Sequence, residues 1–103
     1  MRTRDIRNHF TFSIDNKNTR VIDDLISINV HSEGVWRIGV HIPDVAQVIK
    51  EDSAVDTEAR SRVESQYIGK HFYKPMIPRD LGVNFLPSEK PKFGLSLIFL
   101  MDS

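Results

Sequence analysis

The sequence predicts an α+β fold, with an antiparallel or mixed sheet, one main helix and one short helical turn. Two patterns support this prediction. Apolar and polar residues alternate along several short stretches, as they do in strands with one buried face. A helix-start signal at Ser53 is followed by apolar residues four positions apart. The mixture of both periods, with strands preceding and following the helix, favours α+β over an all-helical or all-β class.

Three strands are predicted in the first half of the chain. In residues 10–14, phenylalanine and isoleucine alternate with threonine and serine, and the stretch leads into Asp15. Residues 25–30 and 36–42 alternate in the same way. Residues 32–34 form a short turn between these two strands, which predicts an antiparallel hairpin.

The main helix is predicted to begin at Ser53. Ser53 and Asp56 match the S-x-x-D form of a capping box. Acidic residues precede arginines by four positions at Asp56–Arg60 and Glu58–Arg62, the favourable order for helix ion pairs. An apolar stripe follows the helix at Val55, Ala59, Val63 and Tyr67. A short helical turn is predicted before this helix, with Asp44 as its cap.

The end of the chain carries an apolar run at residues 94–101, which predicts a buried strand. Four prolines between residues 75 and 91 exclude a long helix or a central strand before it. We expect residues 1–103 to form a single partial domain with no second domain. A strongly apolar terminal strand usually has more protein covering it, which favours a part of a larger fold.

Composition excludes several classes of protein. The 103 residues contain no cysteine, so a disulfide scaffold and a cysteine-ligated zinc or iron–sulfur site are excluded. Lysine plus arginine equals aspartate plus glutamate, and the zero net charge argues against a histone-like protein. No run of about 20 apolar residues predicts a transmembrane helix, and the charged N-terminus is unlike a signal peptide. A cytoplasmic or other intracellular protein without membrane contact is expected.

Three aspartates are candidate metal ligands. Asp15 follows one predicted strand, and Asp23 and Asp24 precede the next. If those strands are neighbours, the three carboxylates meet at one edge of the sheet, where Mg²⁺ or Mn²⁺ would offset their repulsion. A turn role for Asp15 and a common surface Asp-Asp pair remain the alternative interpretation.

An ordered series of motifs runs along nearly the whole chain. The series consists of RDIR at 4–7, FSID at 12–15, IDD at 22–24, WRIGVHIPDV at 36–45, DSAVDTEA at 52–59, SQY at 65–67, PMIPRDL at 75–81 and GLSLIFLMD at 94–102. This series resembles the N-terminal part of the RNB catalytic domain of the ribonuclease II and ribonuclease R family. The resemblance implies a partial RNB-domain fold.

The resemblance also implies a function. Members of the family are metal-dependent 3′-to-5′ exoribonucleases, which hydrolyse single-stranded RNA to nucleoside 5′-monophosphates. Their D-x5-D-x-D-D aspartates hold Mg²⁺, and Asp15, Asp23 and Asp24 match the first, third and fourth of them. The resemblance thus implies metal ligation by these three aspartates, a catalytic role for Asp23 and Asp24, and Mg²⁺ or Mn²⁺ as the cofactor.

The second family aspartate is replaced by Val21, which offers no ligand. This replacement leaves two hypotheses. The chain is part of an impaired exoribonuclease, with single-stranded RNA and the remainder of an RNB domain or a complex partner as its expected partners. Alternatively, it is a catalytically inactive RNA-binding or protein-interaction remnant of the family.

Further residues have two interpretations each. Tyr67 matches the family tyrosine that stacks on the 3′-terminal base, and the alternative is a core aromatic that closes the helix stripe. His41 is expected to be a hydrogen-bonded structural histidine rather than a metal ligand. Asp44 is expected to be a helix cap rather than a ligand. Arg60, Arg62, Lys70 and Lys74 are expected to lie on a solvated face rather than to contact phosphates.

Overall fold

A computed structural model describes residues 3–17, 21–69 and 72–102 of the chain. In chain order its elements are β1 (Thr11–Phe12), β2 (Leu25–Ser32), β3 (Val35–Pro43), α1 (Ala54–Arg62), β4 (Gln66–Ile68), β5 (Phe72–Lys74) and β6 (Gly94–Asp102). Short 3₁₀ turns lie at Val45–Gln47 and Arg79–Leu81. The predicted α+β class with one helix is confirmed.

The main sheet has four antiparallel strands in the order β1–β2–β3–β6. The predicted hairpin is confirmed as β2 and β3, which are joined by a turn in which Gly34 takes a φ of 74°. Glycine suits this turn because it tolerates positive φ without steric penalty. Side chains alternate between the two faces of a sheet, so the apolar even-numbered residues of β3 from Trp36 to Ile42 share one face. Gly39 and His41 lie on the opposite face.

The start of the main helix is as predicted. The Ser53 side chain accepts a hydrogen bond from the Asp56 amide, 3.3 Å away, and caps the helix. The Asp56 carboxylate accepts from the amide of Asp52 rather than from that of the cap residue, so the capping box is shifted by one position. Both predicted ion pairs form, Asp56–Arg60 at 2.8 Å and Glu58–Arg62 at 3.0 Å.

The predicted end of the helix is wrong. Helix α1 ends at Arg62, because Val63 leaves the helical conformation with a φ of 70°. The apolar stripe therefore does not continue to Tyr67, which lies in β4. Strands β4 and β5 pair antiparallel as a separate two-stranded sheet, in a region that the sequence predicts to be irregular. Periodicity missed them because each strand has only three residues.

The interior of the described part is small and largely polar. Ala59 is the buried hydrophobic residue among the described ones, whereas Ser27, His41 and Asn84 are buried polar residues. The prediction that the apolar run at 94–101 forms a strand is confirmed, but its predicted burial is wrong. Every residue of β6 is exposed, because no described element packs over this strand. No described helix is long and apolar enough to cross a membrane.

Candidate functional site

The acidic corner consists of Asp15, Asp23 and Asp24, and the pairing of β1 with β2 places it. Thr11 is opposite Ser27, and Phe12 is opposite Ile26. This pairing makes the two strands neighbours, which is the condition under which the three carboxylates were predicted to converge. Their convergence on one metal ion stays a prediction.

Asp23 lies within electrostatic range of both Asp15 and Asp24. Partial burial raises the pKa of Asp23, and the negative charges of Asp24 and Asp15 raise it further. Like charges that lie close together disfavour ionisation, so a raised pKa is the expected sign of crowding. Negative charge thus accumulates around Asp23.

The acidic corner is not a ready-made metal centre. All three side chains are exposed to solvent. Within residues 3–17, 21–69 and 72–102, no group of three or more His, Asp or Glu side chains is placed to hold a metal ion together. Val21, at the position of the second family aspartate, is half-buried and contributes no oxygen. The donors have the hard-oxygen chemistry that Mg²⁺ and Mn²⁺ prefer, but their side chains must move to share one ion.

An aromatic pair lies within electrostatic range of Asp23. Tyr67 of β4 stacks against Tyr73 of β5, with ring centroids 4.9 Å apart and a tilt of 33°. The pKa of Tyr67 is raised by partial desolvation, by the charge and hydrogen bonding of Tyr73, and by the charge of Asp23. The effect of Asp23 places the Tyr67 ring within electrostatic range of the acidic corner, across a gap of more than 40 positions in the sequence.

Exposure distinguishes the two interpretations of Tyr67. The residue is 70% exposed, so the core-aromatic alternative is wrong. One face of its ring packs on Tyr73, which leaves ring surface open to solvent. Sequence reasoning did not single out Tyr73. The only available signal was a short aromatic stretch in a segment that the prolines had marked as irregular.

The backbone next to the acidic corner is held by a distant segment. The carbonyl of Ile22 accepts a hydrogen bond from the Phe85 amide, 2.7 Å away. That segment is itself ordered by Asn84, whose buried side chain accepts from the Leu86 amide at 2.9 Å and from Lys92 Nζ at 3.2 Å. Sequence reasoning missed these anchors, because residues 82–93 show no periodic pattern.

His41 belongs to a structural network, as predicted. Its ring is 3% exposed and lies between two hydroxyls, with Ser27 Oγ 2.8 Å from Nε2 and Ser96 Oγ 2.7 Å from Nδ1. The network therefore joins β2, β3 and β6 across one face of the sheet. Gly39 leaves the required space, because a Cβ there would lie 2.5 Å from Ser27 Oγ and 2.7 Å from His41 Nε2. Burial, followed by the charge of His9, lowers the pKa of His41.

The remaining candidates have structural surroundings. Asp44 occupies the cap position of the Val45–Gln47 turn, but its side chain makes no capping hydrogen bond, so that part of the prediction is wrong. Arg60 pairs with Asp52 and Asp56. Arg62 pairs with Glu58 and donates to the Pro75 carbonyl at 3.0 Å. Arg60 and Lys74 are exposed, as expected, whereas the Arg62 side chain is 26% exposed and its Nε is buried, so a solvated face is wrong for Arg62. Lys70 lies outside the described residues.

Comparison with known proteins identifies strong similarity to one family. The RNB domain matches residues 3–103. DIS3-like exonuclease 2 of Schizosaccharomyces pombe is 40% identical over 75 residues, which are 73% of this chain and 8% of that protein. Ribonuclease R of Chlamydia trachomatis is 39% identical over 89 residues, which are 85% of this chain and 12% of that protein.

The fold agrees with the sequence similarity. Mycoplasma genitalium RNase R, solved in complex with double-stranded RNA, superposes with a TM-score of 0.74 at 25% identity. The superposition covers 89% of this chain and 16% of the RNase R chain. This chain thus corresponds to a small part of the length of each of these proteins.

Proposed function

The chain belongs to the RNB domain family, and we propose that it forms part of a metal-dependent 3′-to-5′ exoribonuclease that hydrolyses single-stranded RNA to nucleoside 5′-monophosphates. The observation that carries the proposal is the proximity of the acidic corner to the exposed ring of Tyr67. A carboxylate cluster suits chemistry at a phosphodiester, and an aromatic surface suits the adjoining base. The carboxylates would therefore act at the phosphodiester of an RNA substrate, and the aromatic ring would bind the base next to it.

Asp15, Asp23 and Asp24 are the proposed holders of a Mg²⁺ or Mn²⁺ ion, with Asp23 and Asp24 nearest to the reaction. The raised pKa of Asp23 supports this assignment, because crowded carboxylates gain from a cation. A bound ion would lower the pKa of a water molecule and offset charge on the scissile phosphate. The exposed side chains of all three aspartates leave them free to turn toward one ion.

Tyr67 is the proposed base-binding residue. Stacking of a base on an aromatic ring contributes about 1–3 kcal/mol and accepts any base, which suits an enzyme without sequence preference. Tyr73 supports the ring from behind. Desolvation and the interaction with Tyr73 raise the pKa of Tyr67 further above neutrality, so its ring is uncharged at neutral pH.

Metal binding is tested by calorimetric titration of the chain with Mn²⁺. The wild type should bind the ion, and Asp24→Asn should weaken binding at least about tenfold, because one of three carboxylate donors is lost. Glu89→Gln removes an exposed carboxylate from another loop and serves as the matched control. Equal affinities for the wild type and Asp24→Asn would contradict a metal site at the acidic corner.

RNA binding is tested with a short single-stranded oligonucleotide. Tyr67→Ala should weaken binding about 5- to 150-fold, the range that corresponds to one lost base stack. Tyr67→Phe keeps the ring and should bind within about twofold of the wild type. A loss of affinity in Tyr67→Phe as large as that in Tyr67→Ala would contradict stacking and indicate a role for the hydroxyl.

A second candidate function follows from Val21. A half-buried valine in place of an aspartate removes one oxygen donor, which favours a catalytically inactive RNA-binding or protein-interaction remnant. Release of mononucleotides from single-stranded RNA in the presence of Mg²⁺ distinguishes the two candidates. For an impaired nuclease, release by the full-length protein of which the chain forms part should be weak in the wild type, higher in Val21→Asp and absent in Asp24→Asn, whereas the isolated chain should release little. RNA binding that depends on Tyr67, with no release by any variant, would support the remnant.

A further inference from the structure

Two of the three aspartates of the acidic corner lie in residues 21–24, a segment outside every strand. Strand β2 begins only at Leu25, so its ladder does not fix the backbone of this segment. Outside the strand ladders, the described residues give the segment one backbone hydrogen bond, which the Phe85 amide donates to the Ile22 carbonyl at 2.7 Å. Ile22 directly precedes both aspartates, so this bond holds the backbone that carries them.

The Phe85 amide is itself held in place by a clamp on either side of it. The Lys92 ammonium donates to both oxygens of Asn84, at 2.8 Å to its carbonyl and at 3.2 Å to Oδ1. The same Oδ1 accepts from the Leu86 amide at 2.9 Å. Asn84 is 5% exposed, so water competes little for these oxygens and the hydrogen bonds are strong.

The loop that contains this clamp is also attached to the main sheet. The Phe93 carbonyl accepts from the Asp44 amide at 3.0 Å, just after β3. The Phe85 ring lies close to the first residue of β6, since a Cβ on Gly94 would be 3.0 Å from Phe85 Cζ. Residues 84–93 therefore join the sheet to the backbone of the acidic corner, with contacts made entirely inside this chain.

We infer that Asn84 and Lys92 are positioning residues for the acidic corner. They hold the Phe85 amide against the Ile22 carbonyl, and this bond limits how far the two aspartates that follow can move. The inference rests on the proposed metal site, because exposed carboxylates that must share one ion bind it better when their backbone is fixed. Groups outside the ligand set commonly raise metal affinity in this way.

Lys92 acts through the backbone and not through its charge. The charges that raise the pKa of Asp23 are those of Asp24 and Asp15, and no cation of the described residues is among the causes of that shift. Loss of a nearby cation would by itself leave Mn²⁺ affinity unchanged or raise it, because like charges repel. Loss of a positioning residue should lower it, so the two roles predict effects of opposite sign.

The clamp is tested by amide hydrogen exchange of the full chain, followed by NMR. In Lys92→Met the Phe85 and Leu86 amides should exchange at least about tenfold faster, because exchange reports local opening. Lys90→Met is the matched control, since it removes the same charge from an exposed position of the same loop. Lys92→Arg keeps a charged donor and should preserve the slow exchange.

Positioning is tested by calorimetric titration of the same variants with Mn²⁺. Lys92→Met should bind the ion about 3- to 10-fold more weakly than the wild type, less than the roughly 10–100-fold typical of a group that touches a ligand directly. Lys90→Met and Lys92→Arg should both bind within about twofold of the wild type. Recovery in Lys92→Arg separates the clamp from a general loss of packing in the loop.

A measurement on the wild type alone covers the case in which Lys92→Met does not fold. Coupling between two sites is reciprocal, so an anchor that favours metal binding must be stabilised by the metal. Saturating Mn²⁺ should therefore slow exchange of the Phe85 amide at least about threefold more than that of the Thr57 amide, which donates to Ser53 in α1.

The possible failures are distinguishable. A wild type that does not bind Mn²⁺ would overturn the proposed metal site and this inference with it. Binding by the wild type, with equal or tighter binding by Lys92→Met, would overturn the positioning role alone and leave the metal site in place. Binding by the wild type that slows the Phe85 and Thr57 amides equally would also overturn the positioning role.

Discussion

Polar groups occur at two places around the β1–β2–β3–β6 sheet, and the two places differ in almost every physical respect. On one face, His41 is buried between Ser27 and Ser96, and both of its ring nitrogens have partners. At the end of the sheet, Asp15, Asp23 and Asp24 are exposed, and partial burial together with the charges of Asp24 and Asp15 raises the pKa of Asp23. The first place satisfies its polar groups internally, whereas the second does not.

The difference shows which polar cluster is available for a ligand. A network in which every polar group is hydrogen-bonded stabilises one arrangement of strands. Such a network has no unpaired hydrogen-bonding group with which to bind a ligand. Crowded, exposed carboxylates lower stability slightly and gain most from an external cation. Mutations in the two places should therefore change the free energy of unfolding in opposite directions.

His41→Ala should have the largest effect and break the network. It leaves the buried Ser27 hydroxyl without its His41 partner, whereas Ser96 on the exposed β6 can turn to water, and the free energy of unfolding should fall by about 1–3 kcal/mol. Urea unfolding followed by circular dichroism measures the change. His31→Ala is the matched control, because His31 is exposed and its one described partner is Arg37, so it should change stability by less than about 0.5 kcal/mol. Equal losses in the two variants would argue against a stabilising network.

Gly39→Ala should have the next largest effect. The added methyl group would lie 2.5 Å from Ser27 Oγ and 2.7 Å from His41 Nε2, so one of these atoms must move. We expect a loss of about 1–2 kcal/mol in the free energy of unfolding. Gly69 is a poor control because its φ is positive, whereas Ser88→Ala, on an exposed loop, tests the assay without a steric conflict. A neutral Gly39→Ala would show that the face has spare room.

Asp23→Asn should have a smaller effect with the opposite sign. Because the folded-state pKa of Asp23 is raised, the folded chain holds its proton more tightly than the unfolded chain does. Ionisation of Asp23 therefore lowers stability as pH rises through the unfolded and then the folded pKa. At pH 7 the variant should be more stable than the wild type, by less than about 1 kcal/mol after solvent screening.

Unfolding curves collected between pH 3 and pH 7 measure this difference. The advantage of Asp23→Asn should shrink as the pH falls below the unfolded pKa, where Asp23 is protonated in both states. Glu89→Gln should show no such trend. A loss of stability in Asp23→Asn at pH 7 would mean that its carboxylate makes a favourable interaction, contrary to the crowding that the structure shows.

Tyr67→Ala should have the smallest effect on stability. The ring is 70% exposed and packs mainly on Tyr73, so the free energy of unfolding should change by less than about 1 kcal/mol. Thermal unfolding of the variant beside the wild type is the measurement. Ala59→Ser, at the buried hydrophobic position of α1, provides a contrast and should lose more. A large loss in Tyr67→Ala would make this residue structural and weaken its proposed role in RNA binding.

Local patterns predicted much of the fold. The alternation in β2 and β3, the turn with Gly34 and the start of α1 at Ser53 all depend on neighbours within a few residues, and all are confirmed. The end of α1 is wrong because the stripe from Val55 to Tyr67 satisfied helix periodicity although the chain turns at Val63. Strands β4 and β5 were missed because three residues are too few to display a period.

The candidate site was predicted unevenly for the same reason. Asp15, Asp23 and Asp24 are close in sequence, so a simple strand pairing brings them to one end of the sheet. The approach of Tyr67 to Asp23, and the support of Ile22 by Phe85, join segments more than 40 residues apart. No local pattern encodes such contacts, because they depend on how loops return to the sheet.

By itself, the sequence determined the fold class, the β2–β3 hairpin, the family and the identity of the acidic residues. Each of these follows from residue type and short spacing. Only the tertiary structure decided that His41 is enclosed by Ser27 and Ser96, that Tyr67 is exposed within electrostatic range of Asp23, and that the described residues leave β6 exposed. The physical reason is that burial and electrostatic proximity depend on which elements pack together, and an apolar strand looks the same in sequence whether it is covered or exposed.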